Sequence, residues 1–325
     1  MKNKLLTSVI IIGISTEVLA EKTSDIQNTC LINAINSAPL HQEVKDIKAQ
    51  CSTTKARNLL VKRLQLEKNI ADNPFSITPH RPNFLLPLTY ANIKDAPYVG
   101  TSENNKLDDI ELVFQVSIKY LAIENLFIDD LNMQLAFTSV SWWQAYNSDI
   151  SSPFRETNYE PEIIFTYQKP FEFLGTTIDN SYVAFNHESN GKSGDLSRSW
   201  NRVIGGVAWI NNDISVALRA WWRIPESGLN SSGRPVDDNP DIEKYLGNGE
   251  LAFLWQISDE HNLTIMLRNN LKSDNKGAVK IGWSYPLSKR LKGYVEYFNG
   301  YGESLIYFNH HIERFGIGIK LTDWF

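Results

Sequence analysis

From Leu112 onward, apolar side chains recur at every second position, the period of strands with one apolar face. Leu112, Phe114, Val116, Ile118 and Tyr120 alternate with Val113, Gln115, Ser117 and Lys119, and Leu131, Met133, Leu135 and Phe137 alternate with Asn132, Gln134, Ala136 and Thr138. The same period runs through Ile163, Phe165 and Tyr167, and most clearly through Ile214, Val216, Leu218, Ala220, Trp222 and Ile224. It continues in 251–257, 263–267, 279–285 and 315–325. Weaker segments near residues 176–188, 198–210, 290–299 and 303–309 bring the prediction to about twelve strands of roughly 8 to 13 residues, an even number that suits a bacterial outer-membrane barrel.

A soluble β-sandwich has the same alternation, so other features must decide. The polar face carries Lys119, Arg219, Arg223, Arg268, Lys280, Arg314 and Lys320, cations that a sandwich core could not hold unpaired. Trp142, Trp143, Trp221, Trp222, Trp283, Tyr285 and Trp324 fall near strand ends, as in an interfacial girdle. Short connections (211–213, 259–261) alternate with long ones (144–160, 225–249), and the chain closes on an alternating strand ending at Phe325. The expected fold is all-β, a twelve-stranded antiparallel transmembrane barrel. A mean hydropathy of -0.29 suits a soluble protein, but a barrel that alternates lipid-facing and lumen-facing residues averages to the same value.

Ahead of the strands, Lys2 and Lys4 precede an apolar run from Leu5 to Ile14, and Ala20 follows as a small residue. This order predicts a secretory signal peptide over 1–20, because Ser15, Thr16 and Glu17 end the run well short of a spanning helix. Residues 21–72 are expected to form a periplasmic extension, with Cys30 and Cys51 in an oxidising compartment and predicted to pair. Residues 56–70 have helical spacing at Leu59, Leu60, Leu64 and Leu66, and Asn73-Pro74 ends that helix before a barrel domain over 73–325. A formal net charge of -5 argues against nucleic acid as a partner.

One segment, 182–202, carries candidate chemistry. His187 and Ser189 are two apart and share a strand face, a hydroxyl beside an imidazole, which is a candidate nucleophile and general base. Val183 and Phe185 have the same parity, and on the next strand Asn201 shares parity with Val203, Val207 and Trp209. All three polar residues therefore face outward, towards lipid. Such a placement is costly unless the groups satisfy one another and serve a function, or sit at headgroup level.

At these residues the chain resembles the outer-membrane phospholipase A family. The matching motifs are Phe185-Asn186-His187-Glu188-Ser189-Asn190-Gly191 and Ser197-Arg198-Ser199-Trp200-Asn201-Arg202. Further matches are Ser141 to Gln144, Ser151 to Pro161, Asp237 to Asp241 and Gly300 to Leu305, and together they cover most of the chain from Asn73 to Phe325. The resemblance implies a Ser189-His187-Asn201 triad on the outer wall. It also implies an oxyanion site built from the Gly191 amide and Ca2+, with the Lys192 carbonyl, Ser197 and the partner subunit's Ser151 as ligands. Dimerisation and calcium would then activate hydrolysis of phospholipids and lysophospholipids.

Two positions depart from the family pattern: Gly194, with Asp195 beside it, stands where an aspartate is common, and Ser139 stands where an interfacial glutamine is. Asp238 is the expected partner of Gly194's position in the monomer's calcium site. His41, His80, His261, His310 and His311 read as solvated rather than as metal ligands, for want of zinc-type spacing. A lipopolysaccharide deacylase and a passive channel are the competing readings, and the filling of the lumen separates the channel from an enzyme.

Overall fold

Why twelve strands close on themselves follows from the pairing along the chain of the computed structural model, which describes residues 59–70, 73–93, 107–211, 213–229, 233, 236–258, 260–288 and 291–321. The predicted signal peptide, the Cys30 and Cys51 pair, Trp324 and Phe325 lie outside the described residues. Helix α1 (Leu59–Ile70) precedes a short β1 (Ile77–Pro79). The barrel strands are β2 (Phe84–Ala91), β3 (Ile110–Ile123), β4 (Leu131–Trp143), β5 (Phe154–Tyr167), β8 (Asn180–Ser189), β9 (Ser199–Asn211) and β10 (Ile214–Ile224). They continue with β11 (Gly249–Gln256), β12 (Asn262–Asn269), β13 (Gly277–Pro286), β14 (Lys292–Gly300) and β15 (Ile312–Lys320). A small hairpin, β6 (Phe171–Phe173) and β7 (Thr176–Ile178), lies between β5 and β8, and a short helix α2 (Ile242–Leu246) follows β10. Neighbouring strands pair antiparallel in chain order, and β15 pairs with β2, so among the described residues the twelve barrel strands close on themselves.

The count of twelve holds, but one expected strand is replaced by another. Residues 84–91 form a strand that alternation missed because Pro87 interrupts it, and the register shifts between Leu86 and Thr89 absorb the break. On the other side of that irregularity Gly318 lets β15 approach, since a Cβ there would lie 2.1 Å from the Leu85 carbonyl oxygen. Residues 303–309, expected as a strand, are a loop tucked into the lumen, with Leu305, Ile306, Tyr307 and Phe308 all buried. Side chains of the wall satisfy its backbone: the Leu305 amide donates to Asn158 Oδ1 at 3.0 Å and the Ile306 amide to Glu156 Oε1 at 3.1 Å.

The alternation itself is realised face by face. Leu135, Phe137, Val183, Phe185, Trp222, Trp283, Phe315 and Ile317 are exposed on the outer wall, while Lys119, Arg223, Arg314 and Lys320 are buried inside. Two of the expected girdle tryptophans are lumenal instead. Trp142 packs with Leu86, Val113 and Tyr294, and Trp221 meets Trp200 edge to face.

The lumenal charges are paired in clusters, which is what makes their burial tolerable. Glu111, fully buried, takes Arg155 at 2.6 Å and Arg314 at 2.8 Å, and Arg314 also holds Glu303 of the tucked loop. Arg81 pairs with Glu160 and Glu162, and His80, expected to be solvated, sits 2.9 Å from Glu162. Helix α1 closes off this end. Its leucines, lysines and glutamate are strong helix formers. Arg63 donates to the Pro79 and His80 carbonyls, and Glu67 pairs with Lys119 of β3 at 2.8 Å. The filled lumen retains a cavity of about 390 Å3, unlike the wide aqueous channel of larger porins.

Candidate active site

Strands β8 and β9 set the site. Their register places His187 directly opposite Asn201 and Ser189 opposite Ser199. His187, Ser189 and Asn201 are half-buried on the outer face, continuing the row of exposed Val183 and Phe185. His187 Nδ1 and Asn201 Oδ1 are 2.8 Å apart. Asn201 Nδ2 is committed as a donor to Glu226 Oε1 at 2.7 Å, so the amide oxygen is what meets the imidazole. His187 Nδ1 is therefore the donor in the neutral ring, and Nε2 is left with a lone pair to accept a proton.

The opposite face of the same strands holds this pair rigid. Glu188, between His187 and Ser189, points inward and accepts from Trp200 Nε1 at 2.9 Å and from Arg202 at 2.8 Å. Arg202 also donates to Asn186 at 2.9 Å and lies over the Trp200 ring at 3.9 Å. A buried cross-strand network thus locks the register on which the outward-facing pair depends.

Beyond Ser189 the chain turns at Gly191, whose φ of +64° places it in the left-handed region. A Cβ there would lie 3.2 Å from a ring carbon of Tyr159, which is opposite Ser189 on β5. Gly191→Ala is expected to lower kcat about tenfold with little change in KM, since the conformation costs an alanine roughly 1–2 kcal/mol and displaces the amide. Unchanged kcat in that variant would argue against any role for this amide in the oxyanion site.

The other sequence-predicted positions fall in two groups. Ser197 donates to Asp238 Oδ2 at 2.5 Å, and Ser199 reaches the same oxygen at 3.5 Å, so the loop after β10 does meet the loop after β8. Lys192 sends its ammonium to the Arg155 carbonyl at 2.7 Å and towards Glu156, and burial holds its pKa below the ordinary lysine range against the pull of Glu156. Gly194 begins a 3-10 turn ending at Leu196, with Asp195 exposed beside it. Ser151 lies in the loop after β4, exposed, at a φ of +63°. Ser139 faces outward, paired with Tyr159, which is itself paired with Ser189. Among the described residues no three His, Cys, Asp or Glu side chains converge on a metal position. The oxygens that do come together are the Ser197 hydroxyl and an Asp238 carboxylate oxygen, donors suited to a hard cation and not to zinc.

Sequence reasoning missed Glu226 and Tyr159. The signal for Glu226 was present: the two-residue connection from Asn211 to Ile214 fixes the β9–β10 register, which puts Ile224 opposite Asn201 and Glu226 just past it.

Comparison with known proteins identifies the family. The family model for Phospholipase A1 matches residues 60–321. Phospholipase A1 of Klebsiella pneumoniae is 34% identical over 257 residues, covering 78% of this chain and 85% of that one. The Escherichia coli K12 phospholipase A1 is 33% identical over 256 residues, covering 78% and 84%. A crystal structure of the Salmonella typhi outer membrane phospholipase dimer with bound calcium superposes with a TM-score of 0.70 at 33% identity, covering 78% of this chain and 94% of that one. The Escherichia coli outer membrane phospholipase A structure gives 0.70 at 31% identity, covering 77% and 100%. With this fold, and with a family match over most of its length, the chain belongs to the phospholipase A1 family, the β-barrel ester hydrolases of the Gram-negative outer membrane.

Proposed function

We propose that the protein hydrolyses acyl esters of glycerophospholipids and lysophospholipids with Ser189, His187 and Asn201, as a calcium-dependent enzyme activated by dimerisation. The observation that carries this reading is the His187–Asn201 hydrogen bond on the outer wall, two residues from Ser189. A site there meets its substrate in the surrounding bilayer without drawing it into the barrel.

Ser189 Oγ attacks the ester carbonyl carbon while its proton passes to His187 Nε2. Collapse of the tetrahedral adduct breaks the bond to the alcohol oxygen, which takes the proton from His187 as it leaves. Water then repeats the sequence on the acyl-enzyme: His187 accepts its proton, the fatty acid departs, and Ser189 is regenerated. Asn201 orients the imidazole throughout, and the Gly191 amide donates to the oxyanion.

The residues present fit calcium. Ser197 and the Lys192 carbonyl would hold it in one protomer, with the partner subunit's Ser151 completing the set across a dimer, while Asp238, which accepts from Ser197, would serve the monomer's calcium site. When bound, the cation supplies positive charge for the developing oxyanion. The relative crystallised as a dimer with bound calcium supports this extension. The filled lumen counts against a passive channel.

Fatty-acid release from detergent-dispersed phospholipid tests the proposal. Addition of a calcium chelator is expected to abolish release and added calcium to restore it, with Asp238→Asn raising the calcium needed. Full activity in chelator would contradict the calcium dependence. Purified lipopolysaccharide, run in parallel, is expected to release no fatty acid.

A further inference from the structure

We propose that Glu226 is a positioning residue for the catalytic imidazole, acting through Asn201. This inference rests on the triad reading above. The hydrogen-bond chain runs from His187 Nδ1 to Asn201 Oδ1 at 2.8 Å, and from Asn201 Nδ2 to Glu226 Oε1 at 2.7 Å.

An asparagine in this role has two weaknesses. Its amide can turn over, presenting Nδ2 to the imidazole, which would force the ring proton onto Nε2 and disable it as the base that receives the Ser189 proton. An amide is also neutral, so it stabilises an imidazolium less than a carboxylate does. Glu226 answers both. An ionised carboxylate can only accept, so it holds Nδ2 and thereby fixes Oδ1 towards His187. Its charge polarises the amide along the direction of the chain, making Oδ1 a stronger acceptor.

The setting allows the charge to be felt. Among the described residues, the outer face around His187 offers the Tyr159 phenol on β5, the neutral Asn201 on β9, and Glu226 just past Ile224 on β10. Asp238 reaches Ser199 at the outer end of β9. Glu160, Glu188 and Arg202 lie on the inner face, engaged with one another. Glu226 itself is half-buried and on the lipid-facing side, where charges are felt more than in bulk water.

The test uses purified full-length protein, with fatty-acid release measured against pH. Glu226→Ala is expected to lower kcat about tenfold with KM nearly unchanged. It also moves the acid limb of the kcat profile to lower pH, a change that a merely structural role for Glu226 would not produce. Glu226→Gln retains an oxygen that can accept from Nδ2, so it keeps more of kcat than Glu226→Ala while shifting the acid limb as far. In the Asn201→Asp background the sign reverses: two carboxylates then repel, and Glu226→Ala raises activity. Equal losses from Glu226→Ala in both backgrounds, with no movement of the pH profile, would leave Glu226 a loop residue only and overturn the inference. Wild-type behaviour of both Glu226 variants would overturn it as well. Activity in Ser189→Ala is the separate outcome that defeats the triad reading itself.

Discussion

Ser189→Ala is expected to reduce phospholipid hydrolysis by about 10^4-fold or more while leaving the barrel folded, since in the proposed mechanism its hydroxyl supplies the bond-forming electrons. His187→Ala should be nearly as severe. The double variant should be scarcely worse than either single one, because nucleophile and base act as a unit. Asn201→Ala is expected to lose less, roughly 10- to 100-fold, as a residue that orients its partner and takes no proton. Steady-state fatty-acid release, with heat-modifiable gel mobility as the check on folding, decides the ranking. Equal abolition by Asn201→Ala would give that side chain more than an orienting role. Activity in Ser189→Ala within a few-fold of wild type would remove Ser189 from the chemistry.

The second large effect is on stability. Glu111 is fully buried and accepts from Arg155, Arg314 and Gln144, and Arg314 ties it to Glu303 of the tucked loop. Glu111→Ala leaves two guanidinium groups in the lumen short of their shared counter-charge. Truncating one partner of a buried ionic cluster typically costs about 3–5 kcal/mol. The exposed Lys244–Asp274 pair, at 3.8 Å with both side chains about half accessible, is the contrast. Solvent screening and side-chain entropy reduce it to under about 1 kcal/mol. Urea unfolding in lipid vesicles is expected to show a marked drop in midpoint for Glu111→Ala and almost none for Lys244→Ala. Equal midpoints would mean that Arg155 and Arg314 find other partners, such as the rings of Tyr307 and Trp142 that lie near Arg155.

The same cluster explains where alternation failed as a guide. Residues 303–309 carry apolar side chains at suggestive spacing, yet Glu303 is captured by Arg314 and the amides of Leu305 and Ile306 by wall side chains. Those partners come from β5 and β15, and nothing local to the loop announces them. Strand β2 was hidden for the opposite reason. Pro87 breaks its pattern locally, and only the neighbouring strands, with Gly318 making room, let it pair. Parity was decisive wherever one face meets lipid and the other meets charge. It placed His187, Ser189 and Asn201 outside and Arg314 and Lys320 inside from the residues alone.

At the site, the spacing of His187 and Ser189 on one strand face was legible because it is local. The pairing of His187 with Asn201 was less so, since a loop of nine residues, 190–198, leaves the β8–β9 register open. Here the family motif supplied what periodicity could not. Glu226 was derivable, because the two-residue connection between Asn211 and Ile214 fixes every pair on β9 and β10, but the glutamate lies beyond the alternating segment, where periodicity says nothing. Trp142 and Trp221 misled for a simpler reason. Each precedes a second tryptophan, and only one of two neighbours on a strand can face out.

The proposed role of Ser189, a nucleophile activated on the lipid-facing wall, is open to chemical trapping. The most direct measurement is covalent trapping with an acyl-chain fluorophosphonate, followed by mass spectrometry of the labelled peptides. One phosphonate adduct is expected, on Ser189, forming in wild type and failing to form in His187→Ala. An adduct on another residue, or labelling of Ser189 at the same rate without His187, would contradict it.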